Sequence, residues 1–162
     1  MERKVGRIVI LGTLLLLALV VAGPAAASSG RNFRAHLAGR NEVPAVDTNA
    51  QGQVIFQLSQ DGAGLSYKLI VANIDNVFAS HIHCAPAGFN GPVGVTLFSG
   101  PIGGGRLDGV LAEGTITTPN PGNGCGWVTL QDVLDAIASG GAYANVHTDP
   151  GFPGGEIRGQ LH

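Results

Sequence analysis

The sequence predicts a mostly β fold: an antiparallel β-sandwich with Greek-key-like connections and one short helix near residues 130–138. Three observations carry this prediction. Short runs alternate between apolar and polar residues, as half-buried antiparallel strands do. The 26 glycines and 9 prolines are spread between those runs and form no repeat, which is typical of many turns. A single segment has helical spacing instead. A barrel is the closest alternative architecture.

Eight segments show the alternation. In residues 53–58, for example, Val54, Phe56 and Leu58 fall on one face. The next strand follows across Asp61-Gly62, a pair that favours a hairpin turn. The predicted strands cover residues 32–37, 53–58, 65–71, 77–83, 93–98, 110–117, 142–147 and 156–161.

The predicted helix has recognisable signals at both ends. Thr129 can cap its first turn, and Asp132 lies three residues later, as in a capping box. Gly140 and Gly141 are suited to ending it. The apolar residues that recur at helical spacing are Leu130, Val133, Leu134 and Ile137.

The first 27 residues have the pattern of a signal peptide. A basic start is followed by an apolar stretch over residues 8–21, too short for a comfortable membrane span. Ala25 and Ala27 form a small-residue cleavage motif, so we expect cleavage after Ala27. This predicts one domain over residues 28–162 in a secreted or otherwise extracytoplasmic protein, with no membrane span after cleavage. An uncleaved N-terminal anchor is the alternative.

The charge that remains after cleavage limits the partners. Residues 28–162 carry 6 basic and 10 acidic side chains, and the basic ones form no stripe. Nucleic acid is therefore not expected as a partner. The expected partner is an extracellular or envelope ligand that the sequence does not identify.

The two cysteines, Cys84 and Cys125, are predicted to form a disulfide. An exported protein meets an oxidising compartment, where an even pair favours a disulfide over two free thiols. Zinc or redox motifs built on cysteine would need a second cysteine close in sequence, and neither residue has one.

Polar side chains gather on the non-core face of three predicted strands. Because Ile82 should face the core, His81 and His83 point together to the other side. The same alternation in the last two strands predicts a polar cluster that serves a structural or partner-binding role. Its members, together with the nearby His147, are Tyr143, Asn145, Glu156, Arg158 and Gln160.

The three histidines suggest a metal site. His81, His83 and His147 could supply three imidazoles to copper or zinc, with Glu156 as a fourth ligand. Asn145 or Gln160 could orient a ring from outside the ligand set. The alternative is a polar face in which Glu156 pairs with Arg158 or His147 and no metal binds. His36 and the terminal His162 are interpreted as surface residues.

No catalytic residue is predicted. Ser66 and Ser80 lie in strands without the strand–turn–helix context of a nucleophilic serine. The glycines at 103–105 lack the Gly-Lys-Ser/Thr ending of a phosphate-binding loop.

Several motifs distinguish the chain. Residues 81–83 are His-Ile-His, residues 143–148 are Tyr-x-Asn-Val-His-Thr, and residues 154–160 are Gly-Gly-Glu-Ile-Arg-Gly-Gln. With these, the chain resembles the CHRD domain of chordin and of many secreted bacterial proteins, of the single-domain type, over about residues 33–161. The other matching segments are residues 33–39, 42–44, 90–93 and 134–140.

The resemblance implies a secreted or envelope module with a non-catalytic binding or structural role. In chordin the domain belongs to an extracellular antagonist of growth-factor signalling, but a chain with one such domain does not inherit that activity. The alternative function is a copper- or zinc-binding protein with redox activity of the superoxide dismutase kind. That alternative rests on an analogy of fold and ligand type, not on a motif.

Overall fold

The computed structural model describes residues 1–2 and 32–162. Apart from Met1 and Glu2, the predicted signal peptide and its cleavage position after Ala27 lie outside the described residues. No helix in the part of the chain that is described has the length and apolar character needed to span a membrane.

The described residues form eight β-strands, one α-helix and a short 3₁₀ helix at Gly39–Asn41. The predicted strands and helix are confirmed, and the largest differences lie at strand ends. The third strand runs to Asp75 because it pairs there with Arg106, which also starts the sixth strand earlier than predicted. The elements are β1 Asn32–Ala38, β2 Gln51–Leu58, β3 Leu65–Asp75, β4 Val77–Cys84, β5 Val93–Ser99, β6 Arg106–Ile116, α1 Leu130–Ala138, β7 Ala142–Thr148 and β8 Phe152–Gln160.

The eight strands belong to one antiparallel sheet in the order β5-β4-β7-β8-β1-β2-β3-β6. Two groups of four strands meet where β1 pairs with β8 through Ala38 and Arg158. The sheet is nearly barrel-shaped, and the Tyr67 hydroxyl of β3 donates a hydrogen bond to the Leu97 carbonyl of β5 at 2.6 Å. The predicted antiparallel β fold is therefore confirmed, with both groups of strands joined in a single sheet.

The core lies between the two groups of strands. Val54 and Phe56 of β2 pack in the same apolar cluster as Ile82 of β4 and Ile157 of β8. All four side chains are fully buried, on the faces that the alternation predicted. Period-two patterning therefore identifies the core side of these strands.

The helix covers one part of this core. The Thr129 hydroxyl accepts a hydrogen bond from the backbone N–H of Asp132, whose carboxylate accepts one from the Thr129 N–H, as the predicted capping box requires. Its apolar stripe is buried in the core cluster. The residues of that stripe are Leu130, Val133, Leu134 and Ile137.

Strand β7 departs from the alternation because all seven of its residues are buried. On its polar side the Tyr143 hydroxyl accepts from the Gly91 N–H in the segment over residues 85–92, and Asn145 lies near Glu42 in the segment over residues 39–50. These segments contact each other where the Asn90 amide donates to the Val43 carbonyl at 2.7 Å. The polar face predicted from the sequence is thus covered by loops and forms a second interior.

Candidate metal centre and its polar surroundings

The histidine strands are direct neighbours. In the β4–β7 ladder His81 lies opposite Asn145, and His83 lies opposite Tyr143. In the β7–β8 ladder Asn145 lies opposite Arg158. The sheet order therefore brings together the polar residues that the sequence placed on three separate strands.

The three predicted metal ligands form a compact group. His81, His83 and His147 each offer one ring nitrogen, and these atoms all lie within 4.8 Å of one another. The shortest separation is 3.0 Å, between His81 Nδ1 and His147 Nε2. Among the histidine, cysteine and acidic side chains of the described residues, these three histidines form the group whose spacing suits a metal ion.

Two of the rings are anchored by backbone carbonyls. His83 Nδ1 lies 2.9 Å from the Gly91 carbonyl oxygen, and His147 Nδ1 lies 3.0 Å from that of Pro153. A carbonyl oxygen only accepts, so a neutral ring that donates to it carries its proton on Nδ1 and its lone pair on Nε2. Metal-binding histidines are held in this way, with one nitrogen on an outer acceptor and the other free for the ion.

Burial favours the neutral form of the three rings. It lowers the pKa of His81 from 6.5 to about 4, with further lowering by His147 and His83. Burial also lowers the pKa of His83 and of His147, although hydrogen bonds to backbone carbonyls act in the opposite direction. The neutral imidazole is the form that binds metal ions.

His83 forms one end of a stack of three side chains. Its ring lies parallel to that of Tyr143, with centroids 4.8 Å apart and an angle of 3°. On Tyr143 lies the Arg158 guanidinium, with Cζ 3.3 Å from the ring centroid. Arg158 is 2% exposed, and it donates to Asn90 Oδ1 at 2.9 Å and to the Phe89 carbonyl. Arg158 therefore fixes the loop whose Gly91 carbonyl anchors His83.

Glu156 lies apart from the three histidines. Its Oε1 accepts a hydrogen bond from the Thr48 hydroxyl and its Oε2 accepts one from the Thr148 hydroxyl, both at 2.7 Å. The predicted pairing of Glu156 with Arg158 or His147 is replaced by these two threonines. Its carboxylate ties β8 to β7 and to the loop over residues 39–50, and it does not join the group of histidines.

Gln160 also has a structural position. Its Nε2 donates to the carbonyl oxygens of Ala85, Gly140 and Ala142 at 3.1, 2.7 and 2.8 Å. These bonds connect the end of β8 to the loop after β4 and to the segment before β7. Of the two candidates for orienting a ring, Asn145 is the one in contact with a histidine, through Oδ1 at 3.0 Å from His83 Nε2.

The structure adds Glu42 to the polar cluster. It is 7% exposed, and its Oε1 is a buried atom without a hydrogen-bond partner. Burial raises the pKa of Glu42 to about 7, against the lowering effects of Arg158 and of the Val43 backbone hydrogen bond. The sequence offered one signal for this residue, because residues 42–44 are among the motifs that match the CHRD domain.

The predicted disulfide is confirmed, with Cys84 bonded to Cys125 at the position next to His83. His36 and His162 are exposed, as interpreted from the sequence, and lie outside the group of three histidines.

Comparison with known protein families identifies the family of this chain. The family model described as the CHRD domain matches residues 33–161. The chain belongs to the CHRD-domain family. No curated protein and no solved structure matched the chain in the other two comparisons. At the level of the family, membership in the CHRD domains supports a non-catalytic module.

Proposed function

We propose that this CHRD domain is an exported, non-catalytic module that binds one divalent transition-metal ion, zinc or copper, through His81, His83 and His147. The observation that carries the proposal is the anchoring of two rings by backbone carbonyls. When Gly91 and Pro153 accept from Nδ1 of His83 and His147, the Nε2 atoms of both rings carry the lone pairs that would bind the ion.

The spacing of the ring nitrogens supports such a site. Zinc–nitrogen bonds of about 2.0–2.1 Å in a tetrahedral site separate the nitrogens by roughly 3.4 Å. Here the closest pair is 3.0 Å apart and every pair lies within 4.8 Å. Side-chain adjustments of roughly 1 Å would therefore close the set around an ion. His81 is half-buried, so an ion could reach the group from its side.

The donor set favours divalent ions over cuprous copper. All three donors are imidazoles, which suit zinc and cupric copper, whereas cuprous copper prefers thiolate and thioether sulfur. Both cysteines of the chain are held in the disulfide. The chemistry of the site therefore points to Zn²⁺ or Cu²⁺.

Export is part of the proposal. The signal-peptide pattern of residues 1–27 and the disulfide between Cys84 and Cys125 both suit an oxidising compartment. In that setting the domain would hold its ion while another face contacts an extracellular or envelope ligand.

Metal analysis and titration test the proposal. We expect the protein purified from the secreted fraction to bind one equivalent of Zn²⁺ or Cu²⁺ after removal of bound metal with a chelator. Replacing one ligand, as in His83→Ala or His147→Ala, should weaken binding by at least about 100-fold. His36→Ala is the matched control, because His36 is exposed and outside the group, and it should bind like wild type. Absence of binding by wild type, or equal binding by His147→Ala, would reject the site.

A further inference from the structure

His83 faces one hydrogen-bond acceptor too many. Its Nδ1 lies 2.9 Å from the Gly91 carbonyl oxygen, and its Nε2 lies 3.0 Å from Asn145 Oδ1. A neutral imidazole carries a single N–H and can donate to only one of these oxygens. Burial lowers the pKa of His83, which favours the neutral ring. With its proton on Nδ1, His83 turns an unprotonated Nε2 towards the Asn145 oxygen.

Glu42 has the opposite problem, because one of its carboxyl oxygens lacks a hydrogen-bond donor. Among the buried side-chain nitrogen and oxygen atoms that the structure describes, its Oε1 is the one without a hydrogen-bond partner. A buried acceptor that stays unpaired destabilises the fold.

Asn145 lies between these two groups. A Cβ built on Gly155, which has φ of +128°, would lie 2.6 Å from Glu42 Oε1 and 2.9 Å from Asn145 Nδ2. Both atoms therefore border the space that Gly155 leaves open. The other end of the same amide, Oδ1, contacts His83. Asn145 therefore contacts His83 and borders the same small space as the unpaired Glu42 oxygen, without a hydrogen bond to it.

A half-turn of the Asn145 amide exchanges its donor and acceptor ends, which are close to the same shape. In one orientation Nδ2 donates to His83 Nε2, and Oδ1 accepts from a protonated Glu42. In the other orientation Nδ2 donates to an ionised Glu42, and Oδ1 faces His83 Nε2. The first orientation pairs both His83 Nε2 and Glu42 when no ion is bound, and the second withdraws the N–H donor from the His83 lone pair.

We propose that metal uptake turns the Asn145 amide and expels one proton from Glu42 to solvent. The inference rests on the proposed metal site. The bond from His83 Nε2 to the ion replaces the hydrogen bond from Asn145, whose N–H then donates to the Glu42 carboxylate. The carboxyl group loses its proton, and no electron is transferred.

The surroundings of Glu42 suit this exchange. Burial raises its pKa to about 7, so the protonated form is populated near neutral pH. Arg158 and the Val43 N–H favour the carboxylate, which makes deprotonation accessible once a donor arrives. Glu156, next to Gly155 in the chain, has its carboxylate held by Thr48 and Thr148. Burial lowers the pKa of His83, which favours the neutral ring on the other side of Asn145.

Counting the protons released on zinc binding tests the coupling. Zn²⁺ is titrated into the metal-free full domain by calorimetry in buffers of different ionisation enthalpy, for wild type, Glu42→Gln and Glu113→Gln. Glu113 is the matched control because it is an exposed carboxylate paired with Lys68. Near pH 6 wild type should release about one proton more than Glu42→Gln, and near pH 8 the difference should vanish. Glu113→Gln should match wild type at both values.

The outcomes separate the two proposals. Zinc binding with equal proton release in wild type and Glu42→Gln overturns the coupling and leaves the metal site intact. No zinc binding by wild type overturns the metal site itself. If Glu42→Gln does not fold, infrared difference spectra of wild type decide instead. Zinc addition near pH 6 should remove the band of a protonated carboxyl group, and an unchanged spectrum overturns the coupling.

Discussion

His81 and His147 are joined directly through their rings, with His81 Nδ1 3.0 Å from His147 Nε2. Because His147 Nδ1 donates to the Pro153 carbonyl, its Nε2 must accept, and His81 is the donor. This bond occupies in the metal-free protein one of the lone pairs that the proposed ion would take. The bond requires an unprotonated Nε2 on His147, and the fold disfavours protonation of both rings, which makes the pair sensitive to acid.

The first prediction follows from that sensitivity. The pKa of His81 is lowered in the fold from 6.5 to about 4, so the unfolded chain binds more protons between these values. Its stabilising contribution is therefore present above about pH 6.5 and is lost as the pH falls towards 4. A shift of this size corresponds to at most about 3 kcal/mol, which partial exposure of the ring reduces to about 1–2 kcal/mol.

Urea unfolding of the chelator-treated protein measures this loss. Wild type should lose about 1–2 kcal/mol more than His81→Asn between pH 7 and pH 4.5, because asparagine keeps a donor near Nδ1 and does not titrate. His36→Asn should follow the wild-type curve, since His36 is exposed outside the group. Parallel curves for wild type and His81→Asn would refute the prediction.

The sequence was sufficient to predict which side chains share a face of each strand, but not which loops cover the polar face. Ile82 and Val146 are fully buried, and His81, His83 and Asn145 lie opposite them, as period-two alternation requires. The same pattern could not show that this second side is also buried. That burial depends on loops, such as the one that brings Thr48 to Glu156 across a sequence separation of 108 residues.

The partners of the polar residues were harder to predict for the same reason. Opposite charges suggested that Glu156 would pair with Arg158. Instead, the Glu156 carboxylate accepts hydrogen bonds from two threonine hydroxyls. The Arg158 guanidinium stacks on the Tyr143 ring and donates to neutral oxygens. Such choices depend on which loop reaches which strand. Glu42 was missed as a site residue because it lies in a loop, where no periodicity assigns a side chain to a face.

Arg158 should be more important for stability than its charge suggests. It is buried on Tyr143 and donates to Phe89 and Asn90, so Arg158→Lys would lose the planar fork and the stacked guanidinium. We expect a loss of about 2–3 kcal/mol in the free energy of unfolding. Arg106→Lys is the control, because Arg106 forms its ion pairs at the surface, and its cost should stay below about 1 kcal/mol. Equal costs for both variants would contradict this role.

The disulfide should contribute to stability through the unfolded chain. The bond between Cys84 and Cys125 closes a loop with a sequence separation of 41 residues. Replacing both cysteines by serine should cost about 2–4 kcal/mol in thermal or urea unfolding, because the unfolded chain regains the freedom of that loop. Wild type treated with a reductant should approach the stability of the double variant. A double variant as stable as the oxidised wild type would show that the cross-link has no such effect.

Glu42 should give the opposite pH dependence to His81. Its pKa rises on folding from 4.5 to about 7, so the folded protein binds more protons than the unfolded chain in that range. Its contribution is favourable below about pH 4.5 and is lost as the pH rises through 7. Glu42→Gln, which cannot ionise, should therefore gain about 2 kcal/mol relative to wild type between pH 5 and pH 8 in the metal-free state. Glu113→Gln should show no such gain, because that carboxylate is exposed. A constant difference between Glu42→Gln and wild type over this range would mean that Glu42 stays ionised in the fold, and metal uptake would then expel no proton from it.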